Sequence, residues 1–97
     1  MLTLLTESQK KLMRAIDVGD LSEVKKIVGG GTNPNFDTGY AISSSPLYLA
    51  AFKGHIDIVK WLIDEGRAEI SFDTVTYFSE NLSQIEAANY VARKLLK

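Results

Sequence analysis

No cysteine occurs among the 97 residues, which removes disulfide staples, thiolate zinc sites and cysteine nucleophiles together. Only one histidine is present, so a single side chain has an ordinary pKa near neutrality and a structural zinc site lacks ligands. Eleven basic residues face twelve acidic ones, for a net charge of −1. No global field therefore draws in a polyanion, and nucleic acid is not an expected partner. The longest apolar stretches, Leu47 to Phe52 and Ile56 to Ile63, fall far short of the roughly 20 residues a membrane span needs. Met1 to Glu7 carries no basic leader and too brief an apolar run for a signal peptide. A cytoplasmic protein is expected, with a nuclear one as the alternative.

What is present is ordinary for a folded chain: 45% hydrophobic and 24% charged residues argue against intrinsic disorder. A domain of this size buries roughly 60–70% of its extended-chain surface, so its core is thin and depends on packing alone.

Sliding the chain on itself reveals an internal repeat. Laying Gly19 on Gly54, an offset of 35 residues, also places Val24 on Val59, Lys25 on Lys60 and Gly31 on Gly66. Leu12 falls on Leu47, Ala15 on Ala50, Leu21 on Ile56, Ile27 on Leu62 and Val28 on Ile63, which preserves helical spacing in both copies. Each copy reads as two short helices and a turn. Thr6 or Ser8 opens the first copy, Gly19 interrupts it, and Asp20 to Glu23 forms a capping-box pattern. In the second, Ser45 caps, Pro46 takes the first helical position and Gly54 breaks the helix. Gly66 is expected in the left-handed role at the exit of the following helix.

Ser45-Pro46-Leu47-Tyr48-Leu49-Ala50-Ala51, Gly54-His55 and the helix Ile56 to Ile63 together resemble the ankyrin-repeat family. Gly31-Thr32-Asn33-Pro34-Asn35 is similar to that family's turn at the end of a repeat, and Gly66 to Ser71 is a looser version with one extra residue. Tyr48 stands where the signature has histidine, and the connection between Asn35 and Ser45 is long. The resemblance implies an all-α solenoid of helix-turn-helix repeats with short β-hairpin-like fingers and terminal capping helices, forming one domain over 1–97. Within it, 6–37 reads as an N-terminal capping repeat, 38–73 as a central repeat and 74–97 as a C-terminal finger and capping helix. Glu23 and Lys26 replace Ile58 and Trp61 of the second copy, the polar substitution expected at a stack end.

Beyond Asp73 the signature fades. Thr74-Val75-Thr76-Tyr77-Phe78 is β-prone and reads as a finger. Ser83 with Glu86 suggests a cap, and Ile85, Ala88, Ala92, Leu95 and Leu96 form the apolar face of a closing helix.

Chemistry is scarce. The resemblance implies that His55 is a structural imidazole bonded to neighbouring backbone, and no EF-hand spacing appears among the carboxylates. Gly29-Gly30-Gly31-Thr32 lacks the phosphate-loop spacing and follows a helix rather than a strand. No catalytic residue, metal or cofactor is assigned, and the protein is not expected to be an enzyme. Lys10, Lys11 and Arg14, like Arg93, Lys94 and Lys97, read as solvated faces.

The expected site is an interaction surface. Proteins of this kind grip partners with finger tips and the adjacent first-helix surface, which here selects Tyr40, Ile42, Phe52, Lys53, Tyr77 and Phe78. Phe36 and Phe72 are assigned to the core, and Trp61 to packing between helix pairs. The partner is another protein, bound by a monomer acting as an adaptor or an occluding inhibitor. The alternatives are a self-associating unit, pairing through Met1 to Leu5 or Leu95-Leu96 as a homodimer, and a fragment of a longer array.

Overall fold

The computed structural model describes residues 5–36, 45–80 and 84–96. They form six helices and, among the described residues, no strand: α1 Glu7–Val18, α2 Leu21–Gly29, α3 Pro46–Phe52, α4 Ile56–Asp64, α5 Phe72–Ser79 and α6 Ile85–Leu95. The all-α repeat architecture is as expected, with three helical pairs instead of two and a lone cap.

Local chemistry explains most boundaries. Thr6 opens α1 through a reciprocal capping box, in which its hydroxyl accepts from Gln9 N–H at 3.1 Å and Gln9 Oε1 accepts from Thr6 N–H at 2.8 Å. Asp20 caps α2 by accepting from Glu23 N–H at 3.1 Å. Glu23 does not complete a box there; its carboxylate sits 3.9 Å from Lys26. Ser45 accepts from Tyr48 N–H at 3.4 Å, with Pro46 at the first helical position as read from the sequence. The cap expected from Ser83 lies outside the described residues; α6 starts behind Gln84.

The segment 74–78, read as a β-prone finger, is the middle of helix α5. Ser71 and Thr74 supply a capping box at its start, with Thr74 Oγ1 accepting from Ser71 N–H at 3.1 Å. Intrinsic preference for the extended chain spans only about 1 kcal/mol, and burial of one helical face outweighs it. Thr74 and Phe78, four residues apart, are both buried on that face. A second correction concerns α6, where the buried residues are Ala87, Ala88 and Val91. Ile85 and Leu96, expected inside, are exposed, because α6 packs against both α4 and α5 and its inward side is turned accordingly.

Helices α1, α3 and α5 form an inner layer, while α2, α4 and α6 form an outer one. Leu12, Ile16, Val24, Leu47, Ile58, Val59, Leu62, Phe78 and Val91 fill the single core between them. Each such side chain contributes about 1.5–3 kcal/mol of transfer free energy. Ile58 is fully buried and Trp61 packs on the core, whereas Lys26 at the matching place in α2 is exposed. Both observations agree with the charged first repeat read from the sequence.

The exits of α2 and α4 differ by one residue. Thr32 N–H closes on Ile27 O, whereas Ala68 N–H closes on Leu62 O. The inserted residue moves the left-handed conformation from Gly66 to Arg67, at φ 63°. Gly66 is held for a different reason from the one expected: a Cβ there would lie 3.0 Å from Leu62 Cα and from Trp61 Cζ3. Asn35 then joins the two exits, donating to Arg67 O at 2.9 Å and accepting from Glu69 N–H at 2.8 Å. One amide thus satisfies two backbone groups that no strand ladder serves.

Of Gly29, Gly30 and Gly31, only the last needs its glycine for φ, at 114°. Gly29 is helical, and a Cβ on it would meet nothing within 4 Å. Gly29→Ala is therefore expected to raise the unfolding free energy by about 0.5–1 kcal/mol through loss of unfolded-state entropy. Thermal melts check it, and a lower Tm than wild type would contradict the packing described for the α2 exit.

Candidate functional site

The described residues expose aromatic and cationic side chains. Among them, no group of three or more His, Asp or Glu residues gathers to hold a metal. His55 sits at the start of α4 with Nε2 3.3 Å from Asp17 O, so its Nε2–H donates to the backbone of the preceding repeat. The imidazole is thereby placed as a bracket between repeats one and two. A cleft of about 630 Å³ opens between the exits of α2 and α4, lined by Val28, Asn33, Trp61, Glu65 and Arg67 among others.

The open side of the inner layer carries the exposed anchors. Phe52, at the end of α3, is 45% exposed. Its neighbour Lys53 reaches back to α1, with Nζ 2.9 Å from Asp17 Oδ1. Leu49, one turn earlier, is half-buried, and the 35-residue offset places Arg14 of α1 in the same register. Lys11 and Arg14 are exposed without an ion pair among the described residues. The sequence reading assigned Phe52 and Lys53 to the candidate surface and did not name Leu49 and Arg14. The repeat offset was the signal that could have found them, since it carries one exposed first-helix position into the next copy.

Tyr77 and Phe78 occupy a different setting. Tyr48 stacks at 4.8 Å from the Tyr77 ring and 5.1 Å from the Phe78 ring, while its hydroxyl donates to Thr74 Oγ1 at 3.4 Å. The tyrosine in the signature histidine's place is thus the joint between the second and third repeats. Phe78 has no exposed surface, so it cannot touch a partner, which corrects its assignment to the site. Tyr77 is half-buried. Tyr40 and Ile42 lie outside the described residues. Phe36 packs against the core as expected, but Phe72 is 63% exposed, contrary to its core assignment. It is the first residue of α5 and sits on the side turned away from Tyr48.

On the outer layer, α4 and α6 are joined by charge. Tyr90 O–H donates to Asp64, Lys94 Nζ lies 2.8 Å from Asp64 Oδ1, and Lys60 is 3.7 Å from Glu86. The cations of Lys60, Arg93 and Lys94 lie 5.4–5.9 Å from the Tyr90 ring centre. The hydrogen bond to Asp64 is the main cause holding the Tyr90 phenol above its ordinary pKa, with desolvation and the Asp64 charge adding to it. The same bond to Asp64 raises Lys94.

Both groups hold their protons more tightly when folded, so their contribution is complete below about pH 10 and is lost as pH rises through the raised values. Stability is expected to fall above about pH 10, and Asp64→Asn is expected to flatten that fall. Melts at stepped alkaline pH test it; an unchanged alkaline slope in Asp64→Asn would remove this network as the cause.

No helix among the described residues is long and apolar enough to cross a membrane. No solved structure matches the chain significantly. A family profile described as ankyrin repeats in three copies matches residues 12–94, and its three copies agree with the three helical pairs. Members of that family are generally protein–protein interaction modules and are typically not enzymes. Spanning most of the sequence, the match shows that this chain belongs to the ankyrin-repeat family.

Proposed function

We propose that the protein acts by binding another protein across the open side of its inner helix layer, as a small adaptor or by covering a functional surface of its partner. The observation that carries this reading is Phe52, a large aromatic left 45% exposed at a helix end beside half-buried Leu49, with Arg14 of α1 at the position matching Leu49 and without an ion pair among the described residues. Aromatic and arginine side chains supply most interface hot spots, since they bury much area for little entropy. Tyr77 and Lys53 belong to the proposed surface, and Tyr40 and Ile42, outside the described residues, are proposed to contribute to it. With so few repeats the contact is at most of standard size, so affinity rests on a few anchors more than on area.

The test is affinity capture with mass spectrometry, comparing wild type with a Phe52→Ala/Arg14→Glu variant and with Lys25→Glu on the outer layer. A partner held by wild type and by Lys25→Glu should be retained about tenfold or more weakly by the inner-layer variant. Equal retention by all three would place the binding surface elsewhere.

A further inference from the structure

His55 and Gln84 hold the same place in successive repeats, immediately before the outer helices α4 and α6. His55 fills the joint ahead of it. A Cβ on Gly19, the turn glycine of the first repeat, would lie 2.8 Å from the imidazole, whose Nε2–H is bonded to Asp17 O. Gly54 takes the matching place in the second repeat with the same φ of 79°, yet a Cβ on it would meet nothing within 4 Å. The space that an imidazole occupies at the first joint is open at the second.

That space is a recess of about 70 Å³, lined by Ala51, Gly54, Val59, Gln84 and Glu86 among others. Gln84 is 3% exposed, and its Oε1 is buried without accepting a hydrogen bond from the protein. No other buried side-chain nitrogen or oxygen among the described residues lacks a partner. Buried polar groups are almost always paired, with protein or with ordered water, and an amide oxygen can accept twice. Glu86 stands at the outer edge of the recess, its side chain 65% exposed.

We propose that this recess is a built hydration site, in which two water molecules join the second and third repeats. The inner water donates to Gln84 Oε1, and the outer one links it to the Glu86 carboxylate. Volume sets their number, because a water takes up about 30 Å³. Charge sets the species. Glu86 already faces Lys60 Nζ at 3.7 Å, so its charge is answered from within the protein, and the neutral amide oxygen needs a donor rather than a cation. A dry filling would leave that oxygen unpaired in a buried place, which is the costly outcome. Bridging waters bond nearly as well as direct contacts. The pair thus does at the second joint what the His55 imidazole does at the first, and Gln84 anchors it.

High-resolution crystal structures of the whole chain, grown with rubidium as the monovalent cation, test the proposal. Wild type should show a solvent peak about 2.7–3.2 Å from Gln84 Oε1, a second peak between it and Glu86, and no anomalous signal at either. An anomalous peak would make the occupant a cation and overturn the proposal. So would an Oε1 that accepts from a protein N–H, or a recess without ordered density. Gln84→Leu, apolar and close in size, should lose the inner peak; a peak that stays in place would show that the amide does not hold it. Gln84→His is the second variant. Its imidazole should displace both waters while the melting temperature stays at or above that of wild type, and a fall of more than about five degrees would break the parallel with His55 and overturn the proposal.

Discussion

Phe78→Ala is expected to lower the unfolding free energy by about 3–5 kcal/mol, against a total of about 5–15 for a domain of this size. The side chain has no exposed surface and packs 5.1 Å from the Tyr48 ring and 6.1 Å from that of Tyr77. Its removal opens a cavity where the second repeat meets the third, and the backbone of α5 cannot close it without unstacking Tyr48. The melting temperature should fall by well over ten degrees. Phe52→Ala is the control, since its ring is 45% exposed, loses only about half as much burial and leaves no closed cavity. It should cost about 1 kcal/mol or less. Urea titrations of both variants decide the matter. Similar losses at the two positions would mean that α5 does not hold Phe78 inside, and the third helical pair would have to be reconsidered.

That pair is also where reading the sequence fell short, for identifiable reasons. Repeats one and two announced themselves through glycine turns at Gly19 and Gly54 and matching apolar spacing. The outer helices of the three repeats begin behind Asp20, His55 and Gln84, so the third has neither the histidine nor its preceding glycine. Its first helix is built from threonine, valine and aromatics, residues that favour strands when nothing else decides. What decided was packing against Tyr48, a contact between residues more than two dozen positions apart that no local pattern displays. The candidate surface was legible to a similar depth. Phe52 and Lys53 follow from their place at a helix end. Phe78 and Phe72 exchanged roles because residues 72–79 form a helix whose buried face carries Phe78 and leaves Phe72 exposed.

Gly19 should be among the least replaceable residues outside the hydrophobic core, through two separable effects. Its φ is 79°, and a Cβ there would lie 2.8 Å from His55 Cε1 and 3.0 Å from Nδ1. The left-handed backbone alone costs an alanine about 1–2 kcal/mol. Crowding against a ring held by its bond to Asp17 O adds about 1–3 more, so Gly19→Ala is expected to lose roughly 2–5 kcal/mol. Gly54 separates the two contributions, because it has the same φ of 79° but nothing within 4 Å of a Cβ. Gly54→Ala should therefore show only the backbone cost. Removing the ring should relieve the crowding in turn, so Gly19→Ala combined with His55→Ala should cost less than the two single losses added, with a coupling of about 1 kcal/mol or more. Chemical denaturation of the four variants beside wild type measures this directly. If Gly19→Ala proves no worse than Gly54→Ala, the close approach of the imidazole to the first repeat does not contribute to holding the stack together.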